Sequence, residues 1–507
     1  LKNGLKTVLN GFLPIGLRWA TAALCLAAFF ASLYHHLHPD SHPNALTALL
    51  FLLAAVIAVL VIRFPAKVFS QRPLISCIIL VAIGLALRIA SVVFLDKAQI
   101  GDFAIYHELA AALSTGDGYS YTGPQGLHAD LRIFLHNYYA DLPLPTAFRP
   151  PAYPFILAAV YRIFGVVPLY GFLLNALIGA LTGVLLFALL YPIDRSRAFA
   201  AGLLWELYPA SIFGTNLINT EITFTFLLVG LAYVIMRAML TKSRCSAWQA
   251  AVSGVLLSIA LLTRSATHLV LATALAVALS ACSLRRRAVV IAITAICAVP
   301  LLFAWGMRNQ NVFGHFETQP TIIGVSFFTL THCMADSSDP EQARLEAAYT
   351  AVTDEFKKGE IGRKIGAARF RHAMKSGVIV RQLFCNFLRG WRTDADFLFW
   401  SQQAWLPEVN RRMAPLEFAA QLFYLVVLLC AAAGALQIKK IFDPSMAGIL
   451  LLMLYMLGSA VLLVAFEGTP RYHFPLMAPM CVLAALGAGS FSRETRASRA
   501  WRQSVSF

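Results

Sequence analysis

Apolar runs long enough to cross a bilayer constrain this chain more than any other feature. A membrane-spanning helix needs about 20 mostly apolar residues, and lipid offers unpaired backbone N–H and C=O groups no partner. Such runs fall near residues 17–33, 45–62, 74–95, 169–191, 198–215, 222–239, 247–262, 267–284, 288–305, 418–436, 446–466 and 474–491. They predict an all-α polytopic membrane protein with about 12 transmembrane helices, plus interfacial amphipathic helices and an outer-face helical segment. The composition agrees. Of 507 residues, 59% are hydrophobic and only 13% charged, against about 25% charged in a soluble domain. So much Leu, Ala, Val and Phe also excludes a disordered or collagen-like chain.

The formal net charge is +16. In a soluble protein that would suggest nucleic acid. Here the positions of the basic residues decide. With the N-terminus in the cytoplasm, twelve spans put every basic short loop on one face. These loops carry Lys2, Lys6 and Arg18, then Arg63, Lys67 and Arg72, then Arg195 and Arg197, then Arg237, Lys242 and Arg244. Arg285, Arg286 and Arg287 follow, then Lys439 and Lys440, then Arg493, Arg496, Arg499 and Arg502. The opposite short loops, 35–43 and 216–220, hold no Lys or Arg. This is the positive-inside pattern of a multi-pass plasma-membrane (bacterial inner-membrane) protein with both termini cytoplasmic. The surrounding partner is the lipid bilayer, and no nucleic acid is needed. The first apolar run reads as a retained span, because a second span follows it and no clear small-residue cleavage site does.

Two long stretches then lie on the outer, periplasmic or extracellular, face. The chain divides into a two-helix hairpin (1–73), a membrane core (74–306) containing the first outer loop (96–168), an outer helical segment (307–417), and C-terminal membrane helices with a cytoplasmic tail (418–507). The outer segment holds a polar helical run from Glu341 to about Lys375. An aromatic, basic run from Phe384 to Trp405 follows and reads as a membrane-interface belt. Nine cysteines are spread singly, and only Cys333 and Cys385 fall in the outer stretches. Their spacing does not decide whether they are bridged.

The first outer loop is densest in informative residues. Asp102 follows the third span by a few residues, which puts a carboxylate at headgroup level. Tyr106, Leu109, Ala110 and Leu113 continue on helical spacing as a short interfacial helix that Gly116 and Gly118 end. The alternative role for Asp102 is a helix N-cap. Arg149-Pro150-Pro151 is a rigid turn, since the prolines fix φ and keep Arg149 out of a helix. Residues 153–164 then read as a second interfacial helix. A guanidinium at headgroup level suits a phosphate; the alternative is a snorkelling arginine. Glu221, at the outer end of the sixth span, is either a first-turn charge or a site residue. Glu206 lies inside the fifth span, where an acid is functional by default or paired with a neighbouring helix. No HxH or HExxH spacing is present, so no cofactor is certain. A divalent metal is left open, with His107 and Glu221 as its weak ligand candidates.

The stretch Gly101-Asp102, Tyr106, Ala110, Leu113, Gly116, Gly118-Tyr119, Phe148-Arg149-Pro150-Pro151, Tyr153-Pro154, Ala158 and Phe164-Gly165 resembles the first outer loop of the GT-C glycosyltransferase superfamily. The branch it resembles is the bacterial protein-mannosyltransferase-like group (glycosyltransferase family 39), with the lipid A aminoarabinose transferases as cousins. The likeness continues through Asn219-Thr220-Glu221, Leu262-Thr263-Arg264, Arg308-Asn309, Val312-Phe313-Gly314 and Pro470-Arg471-Tyr472. These lie in family order over most of the chain. The resemblance implies an inverting enzyme that moves a sugar from a polyprenyl-phosphate donor to a lipid, glycan or protein acceptor. It makes Asp102 the general base and Arg149, Arg264 and Arg471 the donor-phosphate ligands. Tyr106, Tyr153, Glu221 and Arg308 are further substrate-binding candidates. The chain also departs from the family. Phe103 stands where many relatives have a second acid. Phe148 stands where the lipid A transferases have an acid before the basic-Pro-Pro turn, which weakens the case for a metal site like theirs.

Other functions share this topology. A secondary transporter or lipid flippase would put its unusual charges near the bilayer midplane, whereas Arg149, Arg264, Arg308 and Arg471 all fall at the outer boundary. A polysaccharide ligase would need a lipid-diphosphate donor. A non-catalytic scaffold would bring no such residues together.

Overall fold

The computed structural model describes residues 13–37, 72–122, 143–241, 245–331, 334, 340–352, 354–403, 407–466 and 468–487. Helices α1 (Leu13–Leu37) and α2 (Pro73–Phe94) lead into α3 (Asp102–Thr115). A two-stranded antiparallel ribbon follows, β1 (Ser120–Tyr121) with β2 (Leu144–Pro145), then α4 (Ala152–Phe164). Next come α5 (Pro168–Leu190), α6 (Arg195–Glu206), α7 (Pro209–Phe213), α8 (Thr220–Leu240), α9 (Cys245–Thr263), α10 (His268–Leu279) and α11 (Leu284–Phe313). Helices α12 (Ile322–Leu330), α13 (Pro340–Ala351), α14 (Glu355–Ser376), α15 (Val378–Trp391) and α16 (Asp396–Gln402) make up the 307–417 stretch expected from the sequence to be the outer segment. The chain then runs through α17 (Pro407–Gln437), α18 (Ala447–Phe466) and α19 (Met477–Gly487).

Local chemistry sets several of these boundaries. Pro73 and Pro168 open α2 and α5, where a missing N–H costs nothing and a fixed φ is helical. Asp194 caps α6 by accepting from the Ser196 and Arg197 N–H groups. Gly101 at φ 55° and Gly116 at φ 99° bracket α3.

The fold is a multi-pass membrane bundle, but the span count differs from the expected twelve. Among the described residues eight helices are long and apolar enough to cross a membrane: α1, α2, α5, α8, α9, α11, α17 and α18. The run at 45–62 lies outside the described residues. The run at 198–215 is broken, because α6 ends at Glu206 and Pro209 restarts the chain as the short α7. The run at 267–284 gives only the 12 residues of α10. The last run opens with a 3-10 turn, Pro470–Leu476, before the 11 residues of α19. Cys333, Trp405, residues 38–43 and the C-terminal arginines also fall outside the described residues, and with Cys333 the question of its bridge; residues 35–37 of the expected 35–43 loop are the last of α1.

Helix α9 packs along α8 and α11, and α17 lies between α1 and α19. At one end, Arg18 donates to the Leu436 carbonyl (2.7 Å) and Arg286 to that of Ala238 (2.8 Å). At the other end, α3 packs on α4, and α15 lies against α1 and α18, joining the outer segment to the bundle. Leu74, Val93, Ile296 and Phe303 point outward from the spans, as lipid-facing residues do.

Glu206 has a structural explanation. Its carboxylate meets Arg88 Nη1 at 2.5 Å, with both side chains fully buried. Arg88 also donates to the Gly84 carbonyl (3.0 Å) and Ser211 Oγ (2.8 Å). A Cβ on Gly84 or Gly183 would strike the Glu206 carboxylate, so the glycines make room for the pair. The aromatic run of the outer segment is not one belt. Trp391 and Phe397 are buried in the protein, while Phe384 and Phe399 are exposed. Helical spacing turns them to different sides.

Candidate active site

Five charged side chains from distant parts of the chain meet where α3, α4, α8, α9 and the 470–476 turn converge. Asp102 sits in the first turn of α3, but Gly101 holds the cap position, so the carboxylate is free to point elsewhere. Arg149 Nη2 donates to Asp102 Oδ1, and Arg471 Nη2 donates to Asp102 Oδ2. Glu221 opens α8 behind the Asn219 cap, whose side chain accepts from the Ile222 N–H at 3.2 Å. Its Oε1 lies 2.7 Å from Arg264 Nη1 and 3.7 Å from Arg471 Nε. Aromatic faces support the cations. Arg264 and Arg471 lie 5.0 Å and 5.3 Å from the Tyr472 ring centre, and Arg149 lies 5.9 Å from that of Tyr106.

Three guanidinium groups against two carboxylates leave one positive charge in excess. Asp102 and Arg264 keep 24% and 20% of their side chains exposed, whereas Glu221 keeps 4%. The cluster is therefore open on the Asp102 and Arg264 side. Burial pushes the Asp102 carboxyl up, but Arg149 and Arg471 outweigh it and hold it well below the usual carboxylate range.

The backbone before Arg149 is held from the outer segment. Glu355 of α14 accepts from the Ala147 N–H (2.7 Å) and Thr146 Oγ1 (2.9 Å). The Thr321 N–H donates to the Ala147 carbonyl (3.1 Å), and Arg308 Nη1 to that of Thr146 (2.8 Å). Arg308 also donates to the Tyr119 carbonyl at 3.0 Å. It is thus a strut for the 96–168 loop and stands apart from the other arginines.

Tyr106 reaches the cluster through Arg149. Tyr153 is fully buried beside it, with rings 6.0 Å apart, and its hydroxyl donates to Asn175 Oδ1 at 3.2 Å. His107 turns away, with Nδ1 2.7 Å from the Tyr161 hydroxyl. Among the described residues no three His, Cys, Asp or Glu side chains group to hold a metal. Both carboxylates of the cluster already face guanidinium groups. A divalent cation would have to displace arginines, so this donor set does not fit one.

Sequence reasoning missed the layer behind the cluster. Asp394, Asp396 and His473 border Arg471 around a small cavity. Their only signal was the presence of two acids in an otherwise basic, aromatic run, and a histidine two residues after Arg471. Glu355 carried no signal beyond a helix start.

Residues 148–307 match the family model for dolichyl-phosphate-mannose-protein mannosyltransferases. No curated protein sequence matches the chain. Among solved structures it is similar to the Archaeoglobus fulgidus oligosaccharyltransferase tethered with an acceptor peptide, at 12% identity and a TM-score of 0.47, covering 86% of this chain and 54% of that one. The chain spans about half the length of that structure. It is also similar to ArnT from Cupriavidus metallidurans bound to undecaprenyl phosphate, at 15% identity and a TM-score of 0.37, covering 81% of this chain and 77% of that one. The resemblance to GT-C membrane glycosyltransferases read from the sequence is borne out by the family model over the stretch that opens with Phe148-Arg149-Pro150-Pro151.

Proposed function

We propose that this chain is a membrane glycosyltransferase that moves a sugar from a polyprenyl-phosphate donor to an acceptor at the outer face of the membrane, with inversion. The observation that carries the reading is the convergence of Asp102, Arg149, Arg471, Glu221 and Arg264 in one partly open cluster with positive charge in excess.

Arg149, Arg264 and Arg471 bind the lipid phosphate, which is also the leaving group. The acceptor hydroxyl gives its proton to an Asp102 oxygen while its own oxygen attacks the anomeric carbon. The bond from that carbon to the phosphate oxygen breaks, and its electron pair stays on the phosphate. The guanidinium groups stabilise the charge that develops there. Asp102 is a weak base while both its oxygens face arginine. An incoming phosphate draws those cations toward itself and so raises the basicity of Asp102.

The test is transfer by the purified full chain from a panel of polyprenyl-phosphate sugars, with wild type and Asp102→Asn. Wild type is expected to transfer at least one sugar, and Asp102→Asn to lose roughly 10²–10⁴-fold in rate. No transfer by wild type from any donor sinks the reading. Full activity in Asp102→Asn sinks only the base assignment.

A further inference from the structure

Arg471 stands on a short 3-10 turn between Pro470 and Pro475, not on a long helix. Such a turn has few hydrogen bonds of its own to set its rotation. Two residues on, His473 points away from Asp102 and into the protein, where it is 1% exposed. Its ring lies flat between Trp391 (5.4 Å between ring centres, 8° between planes) and Tyr424 (5.1 Å, 15°). Nδ1 is 2.8 Å from the Gly390 carbonyl, and Nε2 is 3.0 Å from Asp394 Oδ1. The Tyr208 hydroxyl donates to that same carboxylate oxygen at 2.6 Å.

The first of these contacts requires an N–H on Nδ1. The second requires one shared proton between Nε2 and the carboxylate, on either partner. The pair is therefore neutral as a whole, which makes its burial tolerable. Four elements close on it: α15 through Trp391 and Gly390, α17 through Tyr424, the chain following α6 through Tyr208, and the loop before α16 through Asp394. A side chain gripped on both faces and at both nitrogens fixes the turn that carries it. From the same turn Arg471 reaches Asp102 and Glu221.

We propose that Asp394 and His473 are positioning residues for Arg471, setting the turn so that its guanidinium meets the donor phosphate. This rests on the reading of Arg471 as a phosphate ligand. Neither residue touches substrate. Their effect passes through the turn, so it has to vanish when the Arg471 side chain is removed.

That requirement gives the test. Binding of undecaprenyl phosphate by the full chain in nanodiscs is measured for wild type, Asp394→Asn, His473→Gln, Arg471→Ala, and each of the first two combined with Arg471→Ala. Asp394→Asn and His473→Gln are each expected to weaken binding about tenfold, and to weaken it no further in the Arg471→Ala background. Donor KM is expected to rise in the single variants while acceptor KM stays at the wild-type value, which general loosening of the fold would not produce. If Asp394→Asn fails to fold, His473→Gln with its double variant carries the same comparison. Losses that multiply in the double variants, or unchanged binding in the singles, overturn the proposal and leave the phosphate site standing. Absence of wild-type binding overturns the phosphate reading, and this inference with it.

Discussion

Arg149 and Arg471 divide the carboxylate of Asp102 between them, one guanidinium on each oxygen. The same two cations are the proposed phosphate ligands, so phosphate and Asp102 compete. Asp102→Asn therefore has opposite effects on two measurements. Transfer falls, while undecaprenyl phosphate binds more tightly by about tenfold or more, the equivalent of one charge-assisted hydrogen bond of roughly 1.5–3 kcal/mol. Titration calorimetry or fluorescence on the two proteins checks this. Weaker binding by the variant would mean that Asp102 supports the site instead of competing within it.

Arg149 presents a planar fork, stacked 5.3 Å from the Phe148 ring centre and 5.9 Å from that of Tyr106. Lysine keeps the charge but neither the fork nor the stacking. Arg149→Lys is expected to lose roughly 10-fold or more in donor binding, and Arg149→Ala more still. Equal binding by Arg149→Lys and wild type would show that only charge matters there.

Glu355 makes the loop before Arg149 sensitive to pH. Burial pushes its carboxyl up to about 7, against the pull of the Ala147 N–H, Thr146 and Arg308, with Asp354 adding a small push. The unfolded carboxyl releases its proton near the ordinary value of 4.5. Between those values the folded chain holds more protons, so this stability contribution is full below the lower value and is lost as pH rises through about 7. Thermal scans of the full chain from pH 5 to pH 8 are expected to show a falling midpoint, and Glu355→Gln to flatten that fall. A wild-type slope in Glu355→Gln would remove Glu355 as its source.

The Arg88–Glu206 pair lies in the bundle and serves stability. Removing one partner leaves a buried charge uncompensated, at a cost of roughly 3–5 kcal/mol. Glu206→Leu is expected to lower the unfolding midpoint sharply, and Arg88→Met with Glu206→Leu to recover most of it. If the double variant is the less stable, the pair acts through something other than mutual neutralisation.

The site was legible in the sequence where local chemistry marked it. Arg149 announces itself by the two prolines after it, Asp102 by its place just past a span, and Arg471 by following Pro470. The helical membrane class followed from the length of the apolar runs alone. The break after Glu206 was also written in the chain, since Pro209 makes Tyr208 a poor helix residue, but the apolar run masked it. Arg88 was not legible. It sits in an apolar run and finds its partner 118 residues later. Asp394 and His473 are 79 residues apart, and no spacing rule joins them. Pairing across a fold leaves no period in a sequence, so buried partners come to light only when the helices are set side by side.

The joint hold on Asp102 also sets a timetable for synthesis. Arg149 leaves the ribosome soon after Asp102, but Arg471 follows 369 residues later. Over that interval the carboxylate has only one of its two counter-ions, and Glu221 and Arg264 have only each other as ion-pair partners. The proposed phosphate site is therefore completed only once Pro470-Arg471-Tyr472 has been made, and a nascent chain stalled before Pro470 has no complete place to grip a lipid phosphate.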